Sequence, residues 1–290
     1  MTAVPARAPA LSRPAPGAGR KTSNTWTYVL LIGGLVLMVG PFLWMVATSL
    51  TTTAQLDNVD AGYLPDPATL DAYRQLGEAF PFWRFVLNSL GIAVVSTLLQ
   101  LFTSATAAYA FSRLRFRGST IVFLCYVATM MIPMQVIIVP LFIEMRNLHL
   151  VDTYAGLVLP TVVSSFGVFM LRQAFLALPR ELDEAAFVDG AGHFRVFARV
   201  LLPLVTPALA TFAVFAFMSS WNAFLWPLVI AQTEQHMTLP VGLSLLLGRY
   251  SPAWNVIMAG SALSALPILT LYVVAQRYVV RGITHTGIKA

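Results

Sequence analysis

Long apolar stretches alternate with short polar segments along the whole chain. Uncharged runs occur at Trp26–Leu50, Phe85–Ser112, Gly118–Ile143, Thr153–Leu171, Val200–Thr233 and Tyr250–Gln276. A hydrocarbon core of roughly 30 Å needs about 20 helical residues to cross it. Each run therefore predicts one transmembrane helix, the last two over about 200–231 and 254–276. The expected fold class is an all-α polytopic membrane protein, with a six-span domain over 26–284 between tails at 1–25 and 285–290. Pro133, Pro140, Pro160, Pro203, Pro207, Pro227 and Pro267 fall within or at the ends of the spans. Each removes a backbone donor and tends to bend its helix.

The polar segment between the fourth and fifth spans, 178–203, is unlike an ordinary turn. Leu178-Pro-Arg-Glu-Leu-Asp-Glu-Ala-Ala-Phe-Val-Asp-Gly190 predicts a short helix, a break at Gly190–Gly192 and a second helix running into the fifth span. Pro179 suits a first turn, where its missing donor is harmless. Glu181, Asp183 and Glu184 suit the positive end of the helix dipole, and Gly190 suits a helix stop. Leu182, Ala185, Ala186 and Asp189 share a face at i, i+3, i+4 and i+7 spacing. Asp189 is placed either to cap the second helix or to pair with a partner. Such a helix fits a groove on a soluble protein or lies on the lipid interface; its own residues leave both open.

Charge placement sets the orientation. Fourteen of the 18 Lys and Arg residues fall on one side: those of the tail, Arg113, Arg115, Arg117, Arg172, Arg180, Arg195, Arg199 and the C-terminal cations. Only Arg74, Arg84, Arg146 and Arg249 fall on the other. This predicts cytoplasmic termini and a cytoplasmic 178–203 loop, with Arg113, Arg115 and Arg117 read as topology anchors. The outer loop Thr51–Arg84 reads as an ordered cap. Met237–Gly248 in the next outer loop is apolar but too short to span, and reads as interfacial or re-entrant.

With 58% hydrophobic and 10% charged residues and a mean hydropathy of +0.75, the chain has far fewer charges than a water-soluble domain. The net charge of +6 therefore describes topology rather than a nucleic-acid partner. The N-terminal tail carries Arg7, Arg13, Arg20 and Lys21 without an acid, fits no signal peptide and reads as disordered. Gly17–Thr22 is a poor phosphate loop, with Arg20 where that motif needs Gly. Cys125 is a lone apolar-run cysteine and fits no metal pattern. No span carries a charged residue or His centrally, which disfavours an ion-coupled carrier. No Ser/His/Asp set or paired carboxylates converge for catalysis. The energy for transport is expected to come from outside the membrane.

The run Glu184-Ala185-Ala186, Asp189-Gly190-Ala191, Phe197 and Leu202-Pro203-Leu204 resembles the EAA loop of ABC importer permeases. Ala107-Ala-Tyr-Ala-Phe-Ser-Arg-Leu-Arg-Phe-Arg-Gly118, Met131-Ile-Pro-Met-Gln135, Phe217-Met-Ser-Ser-Trp-Asn-Ala-Phe-Leu-Trp-Pro-Leu228 and the tail from Arg281 to Lys289 are similar to the maltose-system branch. The resemblance covers the chain from about Trp26 onward. It implies the type I importer permease fold and a non-catalytic subunit in the cell membrane. The implied partners are a second permease, two cytoplasmic ATPases and an extracytoplasmic solute-binding protein carrying a sugar or polyol derivative. ATP and magnesium would be held by the ATPase, with no cofactor on this chain. By the same resemblance Glu184, Ala185, Ala186, Asp189 and Gly190 would couple to the ATPase. A sugar path should offer aromatic faces and hydrogen-bonding groups in bent spans. Gln135, Ser165, Ser219, Ser220, Trp221 and Asn222 are candidates for it, each equally suited to interhelical packing. Ala223 stands where relatives commonly carry Asp. Import of a non-sugar solute and secondary carriage are the alternatives.

Overall fold

The computed structural model describes residues 25–58, 62, 64–79, 81–249 and 253–284, with side chains at 25, 79, 247–249 and 277–284 left aside. The two expected tails and Asp60 lie outside the described residues. Among the described residues every regular element is helical. The labels used are α1 Thr25–Ser49, α2 Asp71–Ala79, α3 Phe82–Arg113, α4 Ser119–Ala128, α5 Met134–Asn147, α6 Tyr154–Val158, α7 Ser165–Leu176, α8 Glu181–Val188, α9 Thr206–Trp221, α10 Leu225–Ile230, α11 Leu239–Arg249 and α12 Trp254–Thr284.

The chain forms two compact units, 1–44 and 45–290. In the first, the part of α1 up to Trp44 exposes apolar side chains, with Leu30, Val36, Leu37 and Met38 all exposed. The second unit is a bundle centred on α3. This 32-residue helix turns a stripe of small and polar residues inward: Ser89, Ala93, Ser96, Ser104, Ala105 and Ala108. Its bulky Leu87, Leu98 and Phe102 point out. In lipid there is no hydrophobic drive between helices, so close backbone approach on small residues holds them together while large apolar side chains meet the acyl chains. α3 packs along α7 and α9, and α9 along α12. At the crossing of α3, α7 and α9, a methyl group on Gly167 would run into the Phe212 ring and Ser104 Oγ. Gly167→Ala is accordingly expected to destabilise the bundle by about 1–3 kcal/mol through overpacking, read as a lower unfolding midpoint in detergent. An unchanged midpoint would mean that the crossing can open without penalty.

Among the described residues four helices are long and apolar enough to cross a membrane, within Trp26–Ser49, Phe82–Arg113, Thr206–Ile230 and Trp254–Gln276. The expected spans 118–143 and 153–171 are not straight helices. The first is the pair Ser119–Met131 and Met134–Asn147, bent by 101°. The second is Tyr154–Thr161 and Ser165–Leu176, bent by 44°. Counting each bent pair once gives up to six spans. Pro133 explains the sharper break: it forces Ile132 into extended backbone (φ −87°, ψ 111°) and stands as the non-helical cap of α5. The milder break follows Pro160, in the single 3-10 turn after α6. Backbone freed at such breaks must be re-satisfied by protein. Thr103 on α3 donates to the Val162 carbonyl at 2.7 Å, Ser164 Oγ accepts from the Gly167 amide at 3.1 Å, and Thr129 and Ser165 join the two breaks at 2.7 Å.

At one end of the bundle α2 and α11 pack with α3, α9 and α12 around Leu76, Phe85, Trp221, Leu239 and Val256. The apolar 237–248 segment is thus largely the helix α11, whose Leu239, Val241 and Leu246 are buried against the bundle. At the other end α3, α7, the 191–205 segment and the start of α9 bury Tyr109, Leu171, Phe175, Val196 and Leu201.

Candidate functional site

The loop after α7 is built as two helical pieces, and its first turn is fastened to the bundle by one buried charge pair. Arg113, the last residue of α3, sets its Nε 3.2 Å from an Asp183 carboxylate oxygen, with both side chains largely removed from solvent (4% and 12% exposed). The Arg113 terminal nitrogen also donates to the carbonyls of Phe175 at 2.8 Å and Leu178 at 2.9 Å. One guanidinium thus ties α3 to the end of α7 and to α8. Planar, multi-donor geometry suits arginine to such a junction and lysine far less.

α8 ends in a Schellman motif. Ala191 N–H reaches the Ala186 carbonyl at 2.9 Å and Gly190 N–H the Phe187 carbonyl at 3.0 Å. Gly190 supplies the left-handed residue this closure needs (φ +79°). The chain then re-enters helix at His193–Arg195, widens into a π-turn over Val196–Leu201 and tightens again at Leu202–Leu204. Pro203 lacks the donor for the Arg199 carbonyl and crowds it, which accounts for the widened turn before it. Tyr109 on α3 donates to the His193 carbonyl at 3.2 Å and packs against Phe197 and Phe175. These contacts pin the second piece to the same two helices as the first.

What the loop leaves outward is distinct from what it buries. Glu184, Ala185, Asp189 and Gly190 are exposed, and Ala186 is half-buried toward the core. The Glu184 and Asp189 side chains make no ion pair among the described residues, and their backbone amides are bonded to the Arg180 and Ala185 carbonyls. Val188 and Phe194 flank Gly190 with 88% and 81% of their surface open. Glu184, Ala185, Asp189 and Gly190 are thus all accessible in the loop, and two apolar side chains on either side of Gly190 are accessible with them. Three local expectations change. Helix α8 begins at Glu181 behind Arg180, so Pro179 precedes its first turn. Asp189 does not cap the second piece, whose cap is Gly192 without a side-chain bond. The i, i+3, i+4, i+7 face is split, because the pull of Arg113 turns Asp183 and its neighbour Ala186 inward. Arg113 is a structural tie as well as a cation at a helix end.

The expected path residues are not gathered into one lining. Gln135 is exposed at the start of α5. Ser165 begins α7 and shares its hydroxyl with Thr129. Ser219 is exposed and Ser220 half-buried near the end of α9. Trp221 is buried, stacks on Phe217 and gives its indole N–H to the Ser264 carbonyl at 3.1 Å. Asn222 folds back on the Met218 carbonyl at 3.0 Å.

A second polar network lies at the opposite end of α3. Asn88 donates to the Gln235 and Met237 carbonyls, both at 2.9 Å, and accepts from the Tyr154 hydroxyl at 2.8 Å. A cavity of about 480 Å³ opens beside Asn88, Ile92 and Tyr154. Asp152 accepts from the Gln232 and Thr233 amides and the Thr233 hydroxyl, with His236 at 3.3 Å. Burial raises the Asp152 pKa, but the Thr233 and Gln232 hydrogen bonds and the His236 charge outweigh it, leaving the carboxyl below its ordinary value. With the native pKa below the unfolded one, its stabilisation is full above the usual carboxylate range. It is lost as the pH falls through the lowered value. Asp152→Ala is expected to destabilise the chain by about 1–2 kcal/mol at neutral pH, with the difference shrinking in acid. A difference that grows on acidification would contradict this.

Helices of span length, bent pairs tied by hydroxyls and a fastened polar loop define a multi-pass membrane protein. The chain belongs to the family of binding-protein-dependent transport system inner membrane components, which matches residues 100–285. It is 36% identical to the arabinooligosaccharides transport system permease protein AraQ of Halalkalibacterium halodurans, over 93% of this chain and 99% of that protein. It is 34% identical to the sulfoquinovosyl glycerol transport system permease protein SmoH of Agrobacterium fabrum, over 90% and 91%. Its fold matches a chain of a bacterial ABC transporter involved in the import of the acidic polysaccharide alginate, with a TM-score of 0.80 at 24% identity, covering 88% of this chain and 96% of that one.

Proposed function

We propose that the chain is the non-catalytic membrane-spanning subunit of an ATP-driven importer, passing a sugar or a polyol derivative handed over by an extracytoplasmic binding protein. The fastened loop carries the coupling part of this reading. Its surface of Glu184, Ala185, Val188, Asp189, Gly190 and Phe194 would seat in a cleft of a cytoplasmic ATPase that binds ATP and magnesium. The excess of cations on the side of this loop supports its cytoplasmic placement and that of both termini. A second permease would complete the path and cover apolar surface such as that of α1, and two ATPases would serve the pair. The saccharide names of both relatives favour a sugar.

The mechanical consequence follows from the ties. When closure of the ATPase pair displaces α8, Arg113 transmits the displacement to the end of α3 and to the carbonyls that end α7. Those helices carry the polar contacts at the two breaks, so the bent spans reorient with them. Gln135, Ser165, Ser219 and Ser220 remain the candidates for contacts along the path, with Trp221 and Asn222 shaping the end of α9. The test is uptake by proteoliposomes holding the assembled importer. Transport of a sugar that requires ATP, the ATPase and the binding protein together supports the reading. Transport by this chain alone down an ion gradient overturns it, and saturable uptake of non-sugars only overturns its sugar part.

A further inference from the structure

Beside the fastened loop lies a cavity of about 550 Å³ where arginines converge from three segments: Arg115 and Arg117 after α3, Arg172 on α7 and Arg180 before α8. Arg113 also lines it but is already matched by Asp183. No carboxylate lies within 4.0 Å of the other four among the described residues. Arg172 is not a loose surface cation. Its Nε donates to the Phe111 carbonyl at 3.1 Å and its guanidinium lies 4.2 Å over the Phe123 ring, which holds the side chain in the cavity wall. Ser119 adds the first turn of α4, whose cap Gly118 (φ +80°) offers no side-chain acceptor to the opening amides. A helix start of this kind favours an anion.

The rest of the wall identifies what kind of anion fits. Phe111, Leu114, Phe116 and Leu176 line the same cavity. Apolar Ile121, Val122 and Leu124 continue outward along α4, exposed by 69%, 51% and 59%. A cationic recess that runs directly into exposed apolar helix surface matches an amphiphile with an anionic head. We propose that this cavity binds the phosphate of an anionic phospholipid, with Arg115, Arg117, Arg172 and Arg180 around the headgroup and the acyl chains along α4. Arginine forks suit phosphate oxygens bidentately, and basic recesses at the membrane edge of helical bundles are suited to such headgroups. Unlike the transport reading, this site depends on neither the sugar nor the ATPase. It places an anionic lipid against the segments that hold α8.

The experiment is native mass spectrometry of the intact importer titrated with dioleoyl phosphatidylglycerol, dioleoyl phosphatidylcholine or inorganic phosphate. Saturable retention of phosphatidylglycerol, no retention of phosphatidylcholine and no displacement by equimolar phosphate are expected. Arg115→Gln with Arg117→Gln should weaken retention about 25-fold, roughly fivefold per arginine. Arg195→Gln with Arg199→Gln, an equal loss of charge elsewhere, should leave it unchanged. Equal retention of the two lipids by the unmodified importer would overturn the proposal without reference to any variant. So would displacement by equimolar phosphate, which marks a free-anion site, or unchanged retention by the first double variant.

Discussion

Replacing Gly190 with proline abolishes uptake while leaving the chain in the membrane. Gly190 holds φ at +79° and its N–H bonds to the Phe187 carbonyl at 3.0 Å. Proline fixes φ near −65° and has no N–H, so it denies both at once. The Schellman closure opens, Ala191 leaves the Ala186 carbonyl, and Val188 and Phe194 no longer flank one turn. No span-forming residue is touched, so insertion is unaffected. Gly190→Ala keeps the N–H and meets open space, but strains the left-handed backbone by about 1–2 kcal/mol; it should lower uptake only in part. Glu184→Ala, which removes an exposed charge without touching the fold, should weaken ATPase docking. Normal uptake by Gly190→Pro, measured at membrane levels equal to the unmodified chain, would remove the coupling role of this loop.

Arg113→Ala has the largest expected effect on stability. The substitution strands Asp183 in a largely buried position and frees the carbonyls of Phe175 and Leu178 together. Breaking one side of a buried pair destabilises by about 3–5 kcal/mol, so the unfolding midpoint falls and uptake goes with it. Arg113→Met with Asp183→Leu removes the charge imbalance and should recover much of the stability. Uptake should stay low, because neither new side chain holds the end of α7. Recovery of full uptake by the double variant would show that the pair serves only folding. A midpoint unchanged by Arg113→Ala would contradict the tie itself.

The contrast between these two positions shows what was legible in the sequence. Gly190 could be read locally, because a glycine after a short acidic helix has few other uses. The partner of Arg113 could not. Glu181, Asp183 and Glu184 share one helical turn, and nothing in their spacing says which of them meets a cation 70 residues earlier. Val188 and Phe194 were visible as apolar residues in a polar loop, but only the fold shows that they stay exposed while Val196 and Leu201 are buried. The spans followed from length and hydropathy. Their breaks did not, since Pro133 ends a helix while Pro140 and Pro267 lie inside theirs. The difference lies in whether neighbouring side chains can satisfy an opened backbone, as Thr103 and Ser164 do at the second break. The Asp152 network was hidden for the same reason: its members are about 80 residues apart in the chain.

The central claim is that the surface around Gly190 is the seat of a cytoplasmic ATPase, and one measurement addresses it directly. In a Cys125→Ser background, single cysteines at Val188 and Phe194 are coupled to a photoactivatable cross-linker in the assembled importer. A third cysteine replaces Val136, exposed elsewhere on α5. The account predicts cross-links from positions 188 and 194 to the ATPase, changing in yield with ATP, and none from position 136. Cross-links from 188 and 194 to lipid, with the ATPase untouched, would contradict it.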